Sequence, residues 1–396
     1  MVSIPLFKKS GKGILLLPNM TGGDHFDAEH CMRIAPRIER LISRSYQAIV
    51  FPEESKKKIT DLGTSSIFYT SLHKSHFDYF AVCLKLFLEG LPFPRTIAGT
   101  NLLTWATRRL IKHSTKIDMM KWGAVPMERN SSVSRGLLDI CSRIEMLLKD
   151  GKSVLAFPEM EIIDRDGKKS IKTGRAYSGK IRRFAPALFR PAINVSKEGK
   201  KVYILPISVS YDFVAEEGYF GRLATADKMK KSKNPFAFYA GKLYYIFLES
   251  YLFWNLYSLG QGNIYIDTGG PIPVEPNASK KELAQRAQEE AARCYRVTMP
   301  ALVCYSINEG AISRDQLQRS VERYSEMLKA ASINFQPCSN LKESIEGALQ
   351  GLAQRKIISN HGAISVRKPD VIKYYANTIA HHFENAESGK YLEPDR

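Results

Sequence analysis

Ile67-Phe68-Tyr69-Thr70-Ser71-Leu72-His73-Lys74-Ser75-His76-Phe77-Asp78 runs an apolar, strand-like segment straight into a turn that carries a histidine and a carboxylate five residues apart. A strand ending in such a turn can hold an imidazole at the rim of a sheet, with an Asp oxygen on one ring nitrogen. The other nitrogen then takes a proton. That pair is a general base with its orienting partner, and the ordinary histidine pKa of about 6.5 suits such work at neutral pH. No Ser or Cys nucleophile is needed when the substrate brings its own hydroxyl.

Outward from this segment, short β-rich runs alternate with helical ones. The spacing predicts strands at Ile67–Thr70, Thr96–Gly99, Ala124–Met127, Ser153–Phe157, Val202–Val209 and Ile264–Thr268. An amphipathic helix is expected over residues 28–44. Another is expected over Ser134–Lys149, with Leu137, Leu138, Ile140, Ile144, Leu147 and Leu148 largely on one face and Gly151 as its stop. The alternation predicts an α/β fold with a mainly parallel sheet and surrounding helices. After Pro271-Ile-Pro273 the pattern turns helical. Ser313 and Gln316 have capping-box spacing, a helix is expected over Leu341–Gln354, a hairpin turning at Asn360–Gly362, and a final helix near Pro369–Phe383. The order helix, helix, hairpin, helix also describes a winged-helix-like module. The chain divides into a helical lead-in at 1–45, a catalytic domain at 46–275 and a mostly helical C-terminal domain with a short hairpin at 276–396.

The 396 residues hold 58 Lys and Arg against 40 Asp and Glu, a net charge of +18, with an otherwise ordinary 44% hydrophobic content. Such a field favours polyanions: nucleic acid, an anionic membrane surface, an acidic carrier or a phosphate-bearing substrate. Six cysteines at 31, 83, 141, 294, 304 and 338 form no C-x-x-C pair, so buried thiols in a reducing compartment are expected and a metal is not. The start, Met1-Val-Ser-Ile-Pro-Leu-Phe-Lys, lacks the pattern of a secretory signal, and no stretch reaches the length of a spanning helix. The aromatic-rich Leu243–Tyr257, preceded by the basic Lys228–Lys233, reads either as a core helix or as a segment lying at a membrane surface. Between Gly167 and Lys197 there are nine Lys or Arg and no acid, a basic surface for coenzyme A phosphates or an acidic carrier protein.

Downstream of His73–Asp78 come Trp122-Gly-Ala-Val-Pro-Met-Glu-Arg129, Phe157-Pro-Glu159 and Ile204-Leu-Pro-Ile-Ser-Val-Ser-Tyr-Asp212. Taken in this order, the four segments resemble the four blocks of the glycerolipid acyltransferases. Gly90–Trp105, Leu259–Pro273, Asp315–Tyr324 and Val371–His382 are similar to further segments of the membrane-associated bacterial glycerol-3-phosphate acyltransferases and their dihydroxyacetone-phosphate relatives. The resemblance spans roughly residues 50–385.

It implies an enzyme, a glycerol-3-phosphate 1-O-acyltransferase. A fatty acyl group would pass directly from an acyl-CoA or acyl carrier protein thioester to the acceptor hydroxyl, with no cofactor, as the first step of phospholipid synthesis. In that reading His73 is the base and Asp78 its partner. Ser75, His76, Gly123, Arg129, Glu159, Gly174, Arg175, Pro206 and Ile207 contact or shape the substrates, and Arg129 grips the acceptor phosphate. Pro206, inside a strand-like run, suggests a strand edge or bulge near the site. The third block departs from the family pattern, because Met160-Glu-Ile-Ile163 follows Glu159 where a glycine and an arginine are expected. Either an insertion separates Glu159 from Gly174-Arg175, or Asp164-Arg-Asp-Gly167 is the local equivalent and Arg165 the arginine. The implied location is the cytoplasmic face of the cell membrane, held peripherally. The alternatives are another acceptor (dihydroxyacetone phosphate or a lysophosphatidate) and a non-catalytic basic module binding membrane or, less favoured, nucleic acid.

Overall fold

The computed structural model describes residues 25–75, 77–99, 116–127, 133–165, 168–173, 178–219, 260–335, 340–359 and 363–387, with isolated positions between 222 and 244. The first element among the described residues is α1 (Ala28–Ser43), whose Asp27 cap accepts from His30 N at 2.9 Å and whose Cys31, Ile34, Ile38 and Ile42 form the buried stripe. There follow β1 (Ile49–Val50), α2 (Glu53–Thr60), β2 (Ser66–Ser71), α3 (Asp78–Leu88), β3 (Pro94–Gly99), β4 (Ala124–Met127), α4 (Val133–Lys149) and β5 (Ser153–Ala156). Next come β6 (Glu159–Arg165), β7 (Lys168–Thr173), β8 (Arg183–Phe184), α5 (Arg190–Lys197), β9 (Val202–Tyr211), β10 (Ile264–Thr268) and β11 (Ile272–Pro273). The C-terminal part holds α6 (Lys280–Arg293), α7 (Met299–Asn308), α8 (Arg314–Ala330), α9 (Leu341–Gln354), the pair β12 (Ile358–Ser359) and β13 (Ser365–Val366), and α10 (Pro369–Glu387).

The main sheet runs β1-β10-β9-β2-β5-β3-β4, with β11 beside β9. From β9 to β4 every neighbour is parallel, while β10 and β11 run antiparallel to β9. Every residue of β2 is buried, as a central strand covered on both faces requires. Because β2, β5, β3 and β4 point the same way, their C-terminal ends meet along one edge, which is where open α/β sheets place their ligands. All six expected strands are present, and so are the expected helices at 28–44, 134–149, 341–354 and 369–383. Ser313 and Gln316 do form a capping box. The turn at 360–362 lies outside the described residues.

Pro206 is not at an edge. It lies in β9, between β2 and β10, and its antiparallel neighbour is interrupted beside it: β10 pairs with residues 207–211 and β11 with 203–204. The missing N–H therefore falls at the corner between β10 and β11, where Gly269 N donates back to Pro206 O at 2.9 Å.

The C-terminal helices share one continuous apolar core with the sheet. Arg296 forks onto Asp267 of β10 at 3.0 and 2.7 Å, and Arg355 at the end of α9 reaches the buried Glu217 at 3.1 Å. Helix α10 packs along α7 and buries Tyr374, Tyr375, Ile379 and Phe383. Gly179, with φ +77°, lies so close under α10 that an added Cβ would stand 2.1 Å from Tyr374 O. The adjacent His381 and His382 donate from Nε2 to Ala292 O and Tyr295 O at 3.0 and 2.9 Å, which ties α10 to the end of α6 and the residues just after it.

Two stability predictions follow from α10. Gly179→Ala meets both a left-handed φ (~1–2 kcal/mol) and an overpacked contact (~1–3 kcal/mol), so urea unfolding should show a loss of about 2–5 kcal/mol. Burial holds the His382 imidazole down to about 4, and holds His381 well below its usual range. The unfolded chain, titrating near pH 6.5, then binds protons the folded chain does not, so stability present above that pH is lost as pH falls toward 4. His382→Gln keeps the donor to Tyr295 O without titrating. Between pH 7 and 4.5 it should lose roughly 2–3 kcal/mol less than the parent in urea unfolding.

Candidate active site

Strand β2 ends at Ser71, and the chain then turns through residues 72–77 into α3, whose first residue is Asp78. The turn brings His73 Nδ1 to 2.9 Å from Asp78 Oδ2, with the imidazole side chain 16% exposed and the carboxylate fully buried. The same Oδ2 accepts from the backbone of Lys74 at 2.7 Å and of Ser75 at 3.0 Å. Oδ1 accepts from the Tyr211 hydroxyl at 2.6 Å. The Asp78 position in the first turn of α3 adds the positive end of the helix to these donors. With Nδ1–H directed at Asp78, Nε2 becomes the basic nitrogen. The ring lies against Phe157, centroids 4.6 Å apart.

Around this turn the described polar groups are tied to the fold. Glu159, buried at the start of β6, accepts from His73 N at 2.7 Å and from Arg182 N at 3.2 Å, bridging the turn to the segment before β8. Lys74 is buried and donates from Nζ to Gly179 O at 2.9 Å. Burial pulls its ammonium pKa down, while the charges of Glu159 and Asp78 oppose that pull. Lys74 O accepts from Tyr374 OH at 2.9 Å, and Asn377 of α10 donates to Ser178 O at 2.7 Å. The Ser75 hydroxyl, also buried, donates to the Glu216 carboxylate at 3.0 Å and accepts from Phe77 N at 3.1 Å.

His73 stands at one wall of a cleft of about 960 Å³, the solvent at its mouth included. The walls are mostly apolar: Ile97 and Ala98 of β3, Met127 at the end of β4, Trp122, Leu137, Ala156 and Phe157, with Tyr79, Thr96 and Glu159 as polar neighbours. This edge gathers what the sequence separates by more than eighty residues.

Of the residues expected to serve a substrate, Glu159 lines the cleft beside His73. Gly123, with φ +90°, lets the turn before β4 pass close to Phe93 and Pro94 of its own chain. Ser75, Pro206 and Ile207 do not line this cleft; Ile207 is buried within β9. His76, Arg129, Gly174 and Arg175 lie outside the described residues. The irregular third block contains the β6–β7 hairpin, which the sequence reading did not anticipate. Its register sets Met160 opposite Thr173 and Arg165 opposite Lys168. Arg165 is thus at the tip, six residues from Glu159, while the chain returns beside Glu159 just before Gly174. The insertion reading fits this register, and the Asp166-Gly167 dipeptide between two strand-length runs was its signal. Tyr211, Lys74 and Tyr374 were also missed as neighbours of the turn.

Residues 50–210 match the model of the Acyltransferase family. Among curated proteins, the chain is similar to the glycerol-3-phosphate acyltransferase of Pseudoalteromonas atlantica, at 23% identity over 391 residues, covering 90% of this chain and 44% of that protein. The proteins of the same name from Shewanella amazonensis (23% over 398 residues; 90% and 44%) and Shewanella loihica (24% over 399 residues; 89% and 44%) are comparable. The chain spans less than half the length of these relatives. The matched segment begins at β1, contains the His73–Asp78 turn and the strands whose ends line the cleft, and closes at the end of β9, and this identifies residues 50–210 as an acyltransferase-family domain.

Proposed function

We propose that this chain transfers a fatty acyl group from a thioester to a hydroxyl of glycerol 3-phosphate. The observation that carries the reading is the His73–Asp78 pair, oriented at 2.9 Å on the wall of a mostly apolar cleft. His73 Nε2 removes the proton of the acceptor hydroxyl as its oxygen attacks the thioester carbonyl. The tetrahedral intermediate then collapses, the C–S bond breaks, and the leaving thiolate recovers the proton from the imidazolium. Asp78 holds the tautomer and stabilises the imidazolium in between, the role its counterpart plays in serine hydrolases. The acyl chain takes the apolar cleft. The names carried by the relatives support glycerol 3-phosphate as the acceptor. Arg129 and Arg175 are assigned to its phosphate, Arg175 because the β6–β7 register returns the chain toward Glu159.

The donor is an acyl-CoA or an acyl carrier protein, received by the basic run between Gly167 and Lys197. The working location is the cytoplasmic face of an anionic membrane, bound peripherally. No helix among the described residues is long and apolar enough to cross a membrane. Phe236, Tyr239 and Leu243 are 82%, 64% and 69% exposed at spacings of three and four, directly after the basic Lys228–Lys233, a pattern suited to an interfacial helix.

The test is transfer of labelled palmitoyl groups from coenzyme A and from acyl carrier protein to glycerol 3-phosphate, dihydroxyacetone phosphate and lysophosphatidate, with anionic vesicles present. Turnover is expected on glycerol 3-phosphate. His73→Ala and Asp78→Asn should each lower it by ~10² to 10⁴. Turnover confined to another acceptor reassigns the substrate, and no turnover with either donor overturns the reading. Glu159→Gln leaves one buried backbone N–H without an acceptor and should cost about 1–3 kcal/mol in urea unfolding without any substrate. A Glu159 used only on the acceptor would leave that unfolding unchanged.

A further inference from the structure

The Asp78 carboxylate divides its two oxygens between different tasks. Oδ2 faces the turn and serves His73, Lys74 N and Ser75 N, whereas Oδ1 faces the sheet and accepts from Tyr211 at 2.6 Å. Tyr211 is the last residue of β9, and its ring is wedged beside Tyr46, centroids 5.8 Å apart, which in turn lies against Phe77 at 6.1 Å. The backbone of Tyr211 is fixed as well, since its carbonyl accepts from Thr298 Oγ1 at 3.1 Å. Burial, and after it the charge of Asp78, push the phenol well above its usual range, so the hydroxyl keeps its proton and is the donor.

We propose that Tyr211 is a positioning residue for the His73–Asp78 pair: its hydroxyl locks the carboxylate plane so that Oδ2 meets His73 Nδ1, and it draws off part of the charge that imidazolium would otherwise feel. The inference rests on the acyl-transfer reading for its catalytic consequence, though not for its effect on His73. Its physical basis is that a carboxylate sharing its charge with a neutral donor attracts a neighbouring cation less strongly. Remove the hydroxyl, and Asp78 holds protonated His73 more tightly while being less firmly aimed. His73 then gives up its proton at higher pH. Glu159, Lys74 and Glu216 face the same turn through His73 N, the Gly179 carbonyl and Ser75 Oγ, and Tyr46 faces the Tyr211 ring. None of these contacts involves the Tyr211 hydroxyl, so they are common to parent and variant.

The experiment is an NMR titration of histidine-labelled full chain, with the His73 resonance assigned by its loss in His73→Ala, for the parent, Tyr211→Phe, and a chain with 3-fluorotyrosine at position 211. In Tyr211→Phe the midpoint of His73 should rise by about half a unit to one unit. The fluorinated phenol, a stronger donor, should move it down. In the transfer assay, Tyr211→Phe should reduce kcat about five- to thirtyfold at pH 7, shift the acid limb of the pH profile in step with the titration, and change either KM less than twofold. A role confined to stability would lower the melting temperature through the lost hydrogen bond and leave the midpoint in place, because phenylalanine retains the ring. An unmoved midpoint in both substituted chains overturns the proposal. A moved midpoint in a parent that transfers no acyl group sustains the positioning and instead overturns the acyl-transfer reading.

Discussion

A carboxylate as deeply buried as Asp78 costs several kcal/mol to desolvate unless donors replace the water it loses. Here the replacements come from three directions: a ring nitrogen, two backbone N–H groups of its own turn, and a phenol from a strand more than a hundred residues later. Satisfying that one charge fixes the whole turn. The two N–H bonds curl residues 74 and 75 around the carboxylate, which sets His73 at the rim. The phenol requires β9 to lie beside β2, and the parallel register from Ser66↔Val202 to Ser71↔Ile207 provides that. The central sheet is thus arranged as the support of a single ionised group.

The same turn is held from below by buried groups, of which Glu159 also lines the cleft. Glu159 takes the backbone N–H of His73 and of Arg182 together, and Lys74 spans to Gly179 O, so two loops are fastened to each other by one acid and one base. Burying Lys74 and Glu159 near each other is tolerable because each is compensated by hydrogen bonds of its own. Ser75 and Glu216 add a third fastening. The proposed role of His73 as a base gains from this stiffness, since small misplacements are costly in rate.

How far the sequence could be read depended on what each segment buries. The central strands were legible because both faces of β2, β5 and β9 are covered and their residues form compact apolar runs. The amphipathic helices were legible from their stripes, and the α8 cap from Ser313 and Gln316. The β6–β7 hairpin was missed because Glu161, Asp164, Arg165, Lys168 and Lys169 look nothing like a buried strand. The His73–Asp78 pair could be read because it is local, five residues apart. Tyr211 could not: its approach to Asp78 depends on the order of strands in the sheet, which no spacing along the chain reveals. The same holds for the Tyr374 hydroxyl; Pro206 read as a strand edge or bulge, and the corner between β10 and β11 that takes its missing N–H is invisible in one dimension.

The bond from Tyr374 to Lys74 O joins residues 300 apart in the chain. At ribosomal rates of about 5–20 residues per second, the His73 turn waits roughly 15 to 60 seconds before its partner on α10 has been made. During that interval β2, α3 and β5 can associate, but the underside of the turn has no lid and Lys74 has no finished cage. The fastening of the turn's underside is therefore a late product of synthesis. A nascent chain displays the histidine long before it can close the underside of the turn that carries it.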